Sequence, residues 1–456
     1  MRELRNILAE QCVAHSPTPY SAKALYMQAI KNCPEGAYNY TYLQATERMR
    51  QIRKSIFPPT PRNLLHLHQL LEMNENRHFA LTFQAQPNLF YQGPLMVNGM
   101  LVGLVFCNTS FIQDIAVELQ NITVAGCDGT FKTVPKTIDN DCYQLFTFQI
   151  VYKNVSYPLV YALLNGKNEG IYTALFERIK DMIPLQYQNL MIITDYEIGQ
   201  INAIHTVFRE ITHQGCYFHY CQAILRYARN KSIGVYNLVK INPVAARVFR
   251  MILALPYLPS VRIGRVPSVV DGVNAIILFI VQYEDVALAY HRFIYEYIIP
   301  FWIHSITPER FTVYNRDIRT NNYLESYHAV LLKIIRPHPK IWEFIDQLRY
   351  LENTCEVEFK QASNNLKIRL ERSMHTRDRN TRTIRDFIDD LIEDHSEDRI
   401  ITFLRRAGHR IDGYITQQIG PYPGNSQFIL IAEIHQFLNI YISCILGEPD
   451  LLLQNI

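Results

Sequence analysis

No stretch of this 456-residue sequence is apolar for long enough to cross a bilayer: the most apolar run, Ala275 to Val281, falls far short of the roughly 20 residues a spanning helix needs. The opening Met1-Arg2-Glu3-Leu4-Arg5 lacks the uninterrupted apolar core of a secretion signal. Cysteine is sparse and unpatterned. The nine thiols (Cys12, Cys33, Cys107, Cys127, Cys142, Cys216, Cys221, Cys355 and Cys444) are odd in number and follow no zinc-finger spacing, so the expectation is reduced thiols in a soluble, intracellular protein without a membrane partner. Low-complexity tracts and fixed-period repeats are missing too, which sets aside solenoid and extended disordered architectures. The sharpest absence is local. Between Ile211 and Val270 there is no Asp or Glu, while Arg226, Arg229, Lys231, Lys240, Arg247, Arg250, Arg262 and Arg265 are all basic. The overall net charge of +3 averages this away. Such a bias is costly to pack without counter-charge; a phosphate backbone is one source of it, and a solvated helical face is the other reading. A weaker basic asymmetry recurs at Arg48, Arg50, Arg53 and Lys54, and again from Lys367 to Arg385, where the acidic run Asp386 to Asp398 follows.

What is present is a large apolar inventory. With 48% hydrophobic and 12% aromatic residues the chain can offset its ordering entropy, and its length calls for two or three packed units. The first ninety residues read as helical, broken at Pro17-Thr18-Pro19 and Pro58-Pro59-Thr60-Pro61. Near Leu95 the periodicity changes. Strands are expected at Leu101 to Cys107, Ile122 to Asp128, Gln144 to Tyr152 and Ser156 to Leu164, the last two joined as a hairpin by Lys153-Asn154. A helix is expected over Phe111 to Gln120, another over Gly170 to Ile183, then a strand Leu190 to Thr194, a helix Ile198 to Phe208 and a strand Gln214 to Phe218. From Tyr220 to Tyr314 the pattern is helical, as it is over Tyr323 to Ile334, which Pro337 and Pro339 end, and over the tail from Ile341. Three antiparallel strands followed by alternating helices and strands is the layout of an RNase H-like mixed sheet, so the expected class is α/β with an α-helical insertion and helical N- and C-terminal regions.

Two aspartates follow apolar strands. Asp128 stands in Val124-Ala-Gly-Cys-Asp-Gly-Thr-Phe131, where Gly129 is expected to begin a turn, and Asp195 follows Leu190-Met-Ile-Ile-Thr194. Strands that finish this way bring both carboxylates to one sheet edge. Phosphodiester cleavage needs an activated water or hydroxyl in line with a leaving oxygen, and two divalent ions about 3.5 to 4 Å apart stabilise both. Hard oxygen ligands favour Mg2+ or Mn2+. Glu325, on the predicted helix in Arg319-Thr-Asn-Asn-Tyr-Leu-Glu-Ser-Tyr-His328, is the candidate third carboxylate. Each acid alone is weak evidence, because an Asp after a strand also serves as turn former or helix cap and a Glu on a helix is usually solvated.

The ensemble resembles the MULE (Mutator-like element) transposase domain of the DDE/RNase H-like superfamily. Asp128-Gly-Thr-Phe-Lys-Thr-Val-Pro135, with Tyr143-Gln-Leu-Phe-Thr-Phe148 and Pro158-Leu-Val-Tyr-Ala-Leu163 after it, is similar to the domain's opening; Thr194-Asp-Tyr-Glu197 to its second acidic motif; Gly215-Cys-Tyr-Phe-His-Tyr-Cys-Gln222 to its Cys-x-x-His element; and Thr320-Asn-Asn-Tyr-Leu-Glu325 to the segment with the last acid. The four motifs stand in order over residues 96 to 350. The resemblance implies an RNase H-like core interrupted between the second and third acids, DNA cleavage at element ends followed by strand transfer, and Asp128, Asp195 and Glu325 as both catalytic residues and ligands of Mg2+ or Mn2+. It further implies DNA as partner and the nucleus as location, with homo-oligomerisation left open. The domain layout expected is a helical N-terminal region 1–95, a core 96–219, a helical insertion 220–314, a final core helix 315–350 and a helical tail 351–456.

Neighbouring residues carry alternatives. Glu197 is a second acid beside Asp195 or, preferably, a helix N-terminal charge. Asp139 and Asp141 read as loop residues. His328, one helical turn from Glu325, faces the same cleft and touches phosphate or else packs. Cys216 and His219 have the spacing of two zinc ligands, with His213 and Cys221 near, but no four-ligand set completes them, and a structural or DNA-proximal role is preferred. Asn321 and Asn322 are read as caps. The first 95 residues show no FLYWCH-like zinc module, which is expected of a truncated copy, an incomplete gene model or a host-adopted derivative. Two functional classes follow: a competent transposase, or a catalytically silent, transposase-derived DNA-binding protein.

Overall fold

The computed structural model describes residues 1–14, 22–230, 232–320, 322–335, 337–368 and 374–409, with the side chains of 13, 14, 53, 54, 56, 322–326 and 374–380 outside that description. The chain forms two compact units. One comprises Met1–His219 with Ile318–Arg372, the other Tyr220–Asp317 with Ser373–Ile456.

The first unit is mixed α/β around a seven-stranded sheet. Its strands are β1 (Tyr91–Val97), β2 (Met100–Phe106), β3 (Val124–Thr130), β4 (Gln144–Tyr152), β5 (Val155–Leu164), β6 (Met191–Thr194) and β7 (Thr212–Gly215), in the order β1-β2-β5-β4-β3-β6-β7. All neighbours from β1 to β3 pair antiparallel, whereas β6 joins β3, and β7 joins β6, in parallel. β4 and β5 run at the centre because both their faces are apolar, and every residue of β5 is buried. The period of two then sorts side chains: Phe146, Phe148 and Ile150 enter one core and Leu145 the other, as do Val160, Ala162 and Leu164 against Tyr161 and Leu163. Fully burying each Phe, Leu, Ile or Val among them contributes about 1.5–3 kcal/mol. The first core is closed by the helix Glu169–Met182, through Tyr172, Leu175, Phe176 and Ile179. The second is closed by the helices Leu64–Glu72 and Ile341–Ser363, through Leu67, Leu71, Trp342, Phe344 and Leu348. A third cluster, Leu4, Leu8, Leu25, Tyr26 and Met49 among its members, gathers the N-terminal helices, with Tyr40 joining it from the turn before Tyr42–Ile56.

Four expectations are corrected. β1 was not anticipated; Asn98 and Gly99 both adopt positive φ (50° and 78°), the two-residue turn that matches strand twist, and they fold Tyr91–Val97 back on β2. β3 does not stop at Asp128 with a turn at Gly129, because Gly129 and Thr130 continue the ladder opposite Phe146 and Leu145. β7 ends at Gly215, so Tyr217 and Phe218 open the helix Tyr217–Ala228. The helix expected over Phe111 to Gln120 is two short ones, Thr109–Asp114 and Ala116–Leu119, parted at Ile115. Lys153 and Asn154 make the β4–β5 turn with φ of 46° and 63°.

Every regular element described in the second unit is helical. Asn242 accepts from Val244 and Ala245 N–H groups to cap Pro243–Ala254, with proline at its first turn, and Ser268 and Asp271 form a reciprocal capping box at Val269–Ile280. Ile294–Ile306 is wound as a π-helix around Pro300, a geometry that no apolar spacing announces. Trp302 is fully buried against Tyr220 and Phe311, with ring centroids 4.6 and 5.5 Å away. The tail continues as helices Met374–Glu393 and Arg399–His409, and residues 410–456, with Cys444, lie outside the described part, as do Pro17 to Pro19. Among the described residues no helix is long and apolar enough to cross a membrane.

Candidate active site

The parallel pairing of β3 with β6 aligns Val124 with Met191, Ala125 with Ile192 and Gly126 with Ile193. Two residues past the last β3–β6 pair stand Asp128, still within β3, and Asp195, directly after β6, so the shared register brings both acids to the same end of adjacent strands. β4 still holds Asp128 on its other side, opposite Thr147. One carboxylate oxygen of Asp128 accepts the Gly129 N–H at 2.7 Å, and the other lies 3.2 Å from Nδ1 of His328. Asp195 is 2.7 Å from Nδ1 of His219. The Asp128 side chain keeps 16% of its surface and that of Asp195 31%, so both acids remain reachable. Gly129 makes the close packing here possible, since a Cβ at that position would fall on the Gln144 side-chain oxygen.

Electrostatics tie the four side chains into one group. Burial pushes the Asp128 carboxyl up, but the His328 hydrogen bond and charge, then His219 and the Gly129 N–H, outweigh it and hold Asp128 below the usual range. For Asp195 burial wins: with the charge of Asp128 adding to it, the carboxyl is raised despite His219. His219 is drawn well above its ordinary value, because Asp195 and Cys216 overcome the cost of its own burial. The two neighbouring carboxylates repel each other and are compensated at close range by imidazole charge.

Residues 124–223 match the family model described as MULE transposase domain. This segment is a MULE transposase domain. A search of curated proteins gives no significant match to the chain. The match runs from the start of β3 into the helix Tyr217–Ala228, so Asp128, Asp195, Cys216 and His219 lie within the MULE domain, and Glu325 and His328 lie beyond the matched residues.

Glu325 belongs to the helix Asn322–Ile334, and its side chain lies outside the described residues, as do Asn321 and the side chain of Asn322. His328, three residues on, reaches Asp128 from that helix. Among the described residues no group of three or more His, Cys, Asp or Glu side chains is disposed to hold a metal ion, zinc at Cys216 and His219 included. Cys216 is buried and bonds to His219, while its backbone N–H donates to Thr194 O at 2.8 Å. His213 is occupied with Thr194 Oγ1, at 2.8 Å.

Glu197 carries its charge at a helix N-terminus, as the preferred reading has it. It stands at the cap position of Ile198–Val207 but makes no side-chain cap; its carboxylate accepts the Tyr172 hydroxyl at 3.2 Å. Burial raises it, with the charges of Asp195 and Asp128 contributing. Gln144 extends this line, donating to Tyr172 Oη and to Gly166 O, both at 3.0 Å. Neither Gln144 nor Tyr172 carries any sequence signal of a role beside the acids of the MULE domain. Asp139 and Asp141 serve the loop: Asp139 pairs with Arg62 at 3.2 Å, and Asp141 accepts the Leu64 N–H at 2.8 Å and the Thr137 hydroxyl at 2.7 Å.

Proposed function

We propose that the chain is a MULE-type DDE transposase that cleaves DNA in a metal-dependent reaction and transfers the strand, acting in the nucleus. The observation that carries this reading is the placement of Asp128 and Asp195 at the same end of adjacent parallel strands, inside the matched domain. The sheet supports an RNase H-like core, because β3, β4 and β5 form the antiparallel series and β6 and β7 add in parallel on the other side of β3. Asp128 and Asp195 would hold Mg2+ or Mn2+, with Glu325 as third carboxylate from its helix. The metal supplies Lewis-acid stabilisation of the attacking and leaving oxygens when bound. The chain's own contribution is orientation. The Gly129 N–H and His328 fix the two oxygens of Asp128, His219 fixes Asp195, and Cys216 fixes His219.

The test is cleavage of duplex DNA by the purified chain with Mg2+ or Mn2+. Activity that is lost in Asp128→Ala, Asp195→Ala and Glu325→Ala variants is the expected result. Equal cleavage by the variants overturns the assignment of the acids. Absence of cleavage by the parent chain favours the silent, DNA-binding derivative.

A further inference from the structure

The acid-free stretch of the second unit spends part of its charge internally, since Arg250 is buried in the helical packing and Arg262 pairs with Asp271 at 2.7 Å. A more open set of cations stands in the first unit, on the loop that follows Asp128. β3 ends at Thr130, opposite Leu145, and Phe131 and Tyr143 stand just beyond that pair. Their rings meet edge to face with centroids 5.4 Å apart, yet Phe131 remains 47% and Tyr143 43% exposed. The loop between them is moored by buried Thr133, Val134, Pro135 and Thr137. Its two acids are engaged at the start of the helix Leu64–Glu72, Asp139 by Arg62 and Asp141 by the Leu64 N–H. Its two lysines are not. Lys132 O accepts the His338 N–H at 3.1 Å, the Lys136 N–H donates to Pro339 O at 3.4 Å, and Lys136 forms a parallel bridge with Lys340, so backbone bonds gather three lysines from two loops. Lys136 and Lys340 are exposed and Lys132 is half-buried, and among the described residues none of the three has an ion-pair partner.

We propose that this surface seats an unpaired strand of DNA, with Phe131 and Tyr143 stacking on bases and Lys132, Lys136 and Lys340 answering phosphates. Phe131 follows Asp128 by three residues, roughly 10 Å along an extended strand, so the surface adjoins the end of the sheet where the acids stand. Paired bases hide their faces in the stack, whereas an unpaired base of any identity can lay its face on an exposed ring. A duplex backbone would use the cations alone and leave both rings in water. A single strand uses the rings and the lysines together, which is why it is the occupant these side chains fit. The inference rests on the transposase reading for DNA as the ligand. It concerns binding, and is measured without metal or cleavage.

The experiment is equilibrium binding of the full chain, in EDTA over a salt series, to a mixed-sequence single-stranded oligonucleotide and to its duplex. Phe131→Ala/Tyr143→Ala should weaken single-strand binding at least about tenfold with the salt slope unchanged, and duplex binding far less. Lys132→Gln/Lys136→Gln/Lys340→Gln should flatten the single-strand slope of log K against log salt by roughly 2, at about 0.7 per contact. Phe131→Tyr/Tyr143→Phe, which keeps both rings, should bind as the parent does. Parent affinity in the alanine ring variant, or the parent slope in the lysine variant, overturns the proposal. So does an equal loss on single strand and duplex in the ring variant, or a parent chain that binds no single strand. A chain that meets these expectations in EDTA but never cleaves with Mg2+ or Mn2+ would contradict the catalytic reading and leave the surface standing.

Discussion

The paired acids of the first unit and the lysines of the loops beside them handle charge in opposite ways. Asp128 and Asp195 are partly buried, one on β3 and the other directly after β6, and each is compensated at close range by an imidazole from a helix. Lys136 and Lys340 are exposed, and among the described residues neither has an ion-pair partner. A site for chemistry must fix its charges before the reactants arrive, which rigid strands and hydrogen-bonded neighbours do. The contrast predicts that the two can be damaged separately.

The largest separable damage is to the cores. Phe148→Ala in the sheet and Trp302→Ala in the helical unit each remove a fully buried aromatic, and each should cost about 3–5 kcal/mol in chemical denaturation. A loss below 1 kcal/mol at either position would show that the packing described there is not what stabilises that unit. Next come the imidazoles. His328→Ala and His219→Ala should each lower DNA cleavage by roughly 10–100-fold while leaving the salt slope of DNA binding as in the parent. An altered slope with unchanged cleavage would reverse the contrast.

The first unit also contains a charge that its fold resists. Glu352 lies on the buried face of the helix Ile341–Ser363, where burial, with Glu356 adding to it, pushes its carboxyl up to about 7 although Asn108 donates to it at 2.6 Å. A carboxyl raised above its unfolded value of 4.5 stabilises the fold below that value, and the contribution is lost as pH rises to about 7. Glu352→Gln should therefore be more stable than the parent at pH 8, by on the order of 1–3 kcal/mol, with the difference vanishing below pH of about 4.5. A constant difference across that window would show that Glu352 does not titrate there. The smallest effect is expected at the second unit's capping box, where Ser268→Ala should cost about 1 kcal/mol in a thermal melt and leave cleavage unaffected.

How much of this the sequence disclosed depended on whether the cause was local. β4 and β5 were legible almost to the residue, because strands buried on both faces are nearly continuous in apolar residues and Lys153-Asn154 marks the turn. Asn98-Gly99 is an equally local signal, a two-residue turn with positive φ that implies a strand on its N-terminal side. Asp128 and Asp195 could be named from their strands and surrounding motifs, but the strand end expected at Gly129 was wrong. Pairing with β4 outlasts pairing with β6, and only the tertiary arrangement decides that. The same holds for His328 on Asp128, His219 on Asp195, and Tyr172 on Glu197. Each joins residues at least 24 positions apart through an arrangement of elements that periodicity does not encode. The basic stretch was visible as composition, yet its division into buried, paired and exposed arginines required the packing.

The central claim, that Asp128 and Asp195 together make a divalent-cation site, is tested most directly by titrating Mn2+ into the full chain without DNA and following bound metal by electron paramagnetic resonance. The account predicts saturable binding that weakens at least about 100-fold, near 2.7 kcal/mol, in the Asp128→Asn/Asp195→Asn double variant, whose side chains keep their size and lose their charge. Equal Mn2+ affinity in the parent and the double variant would contradict it.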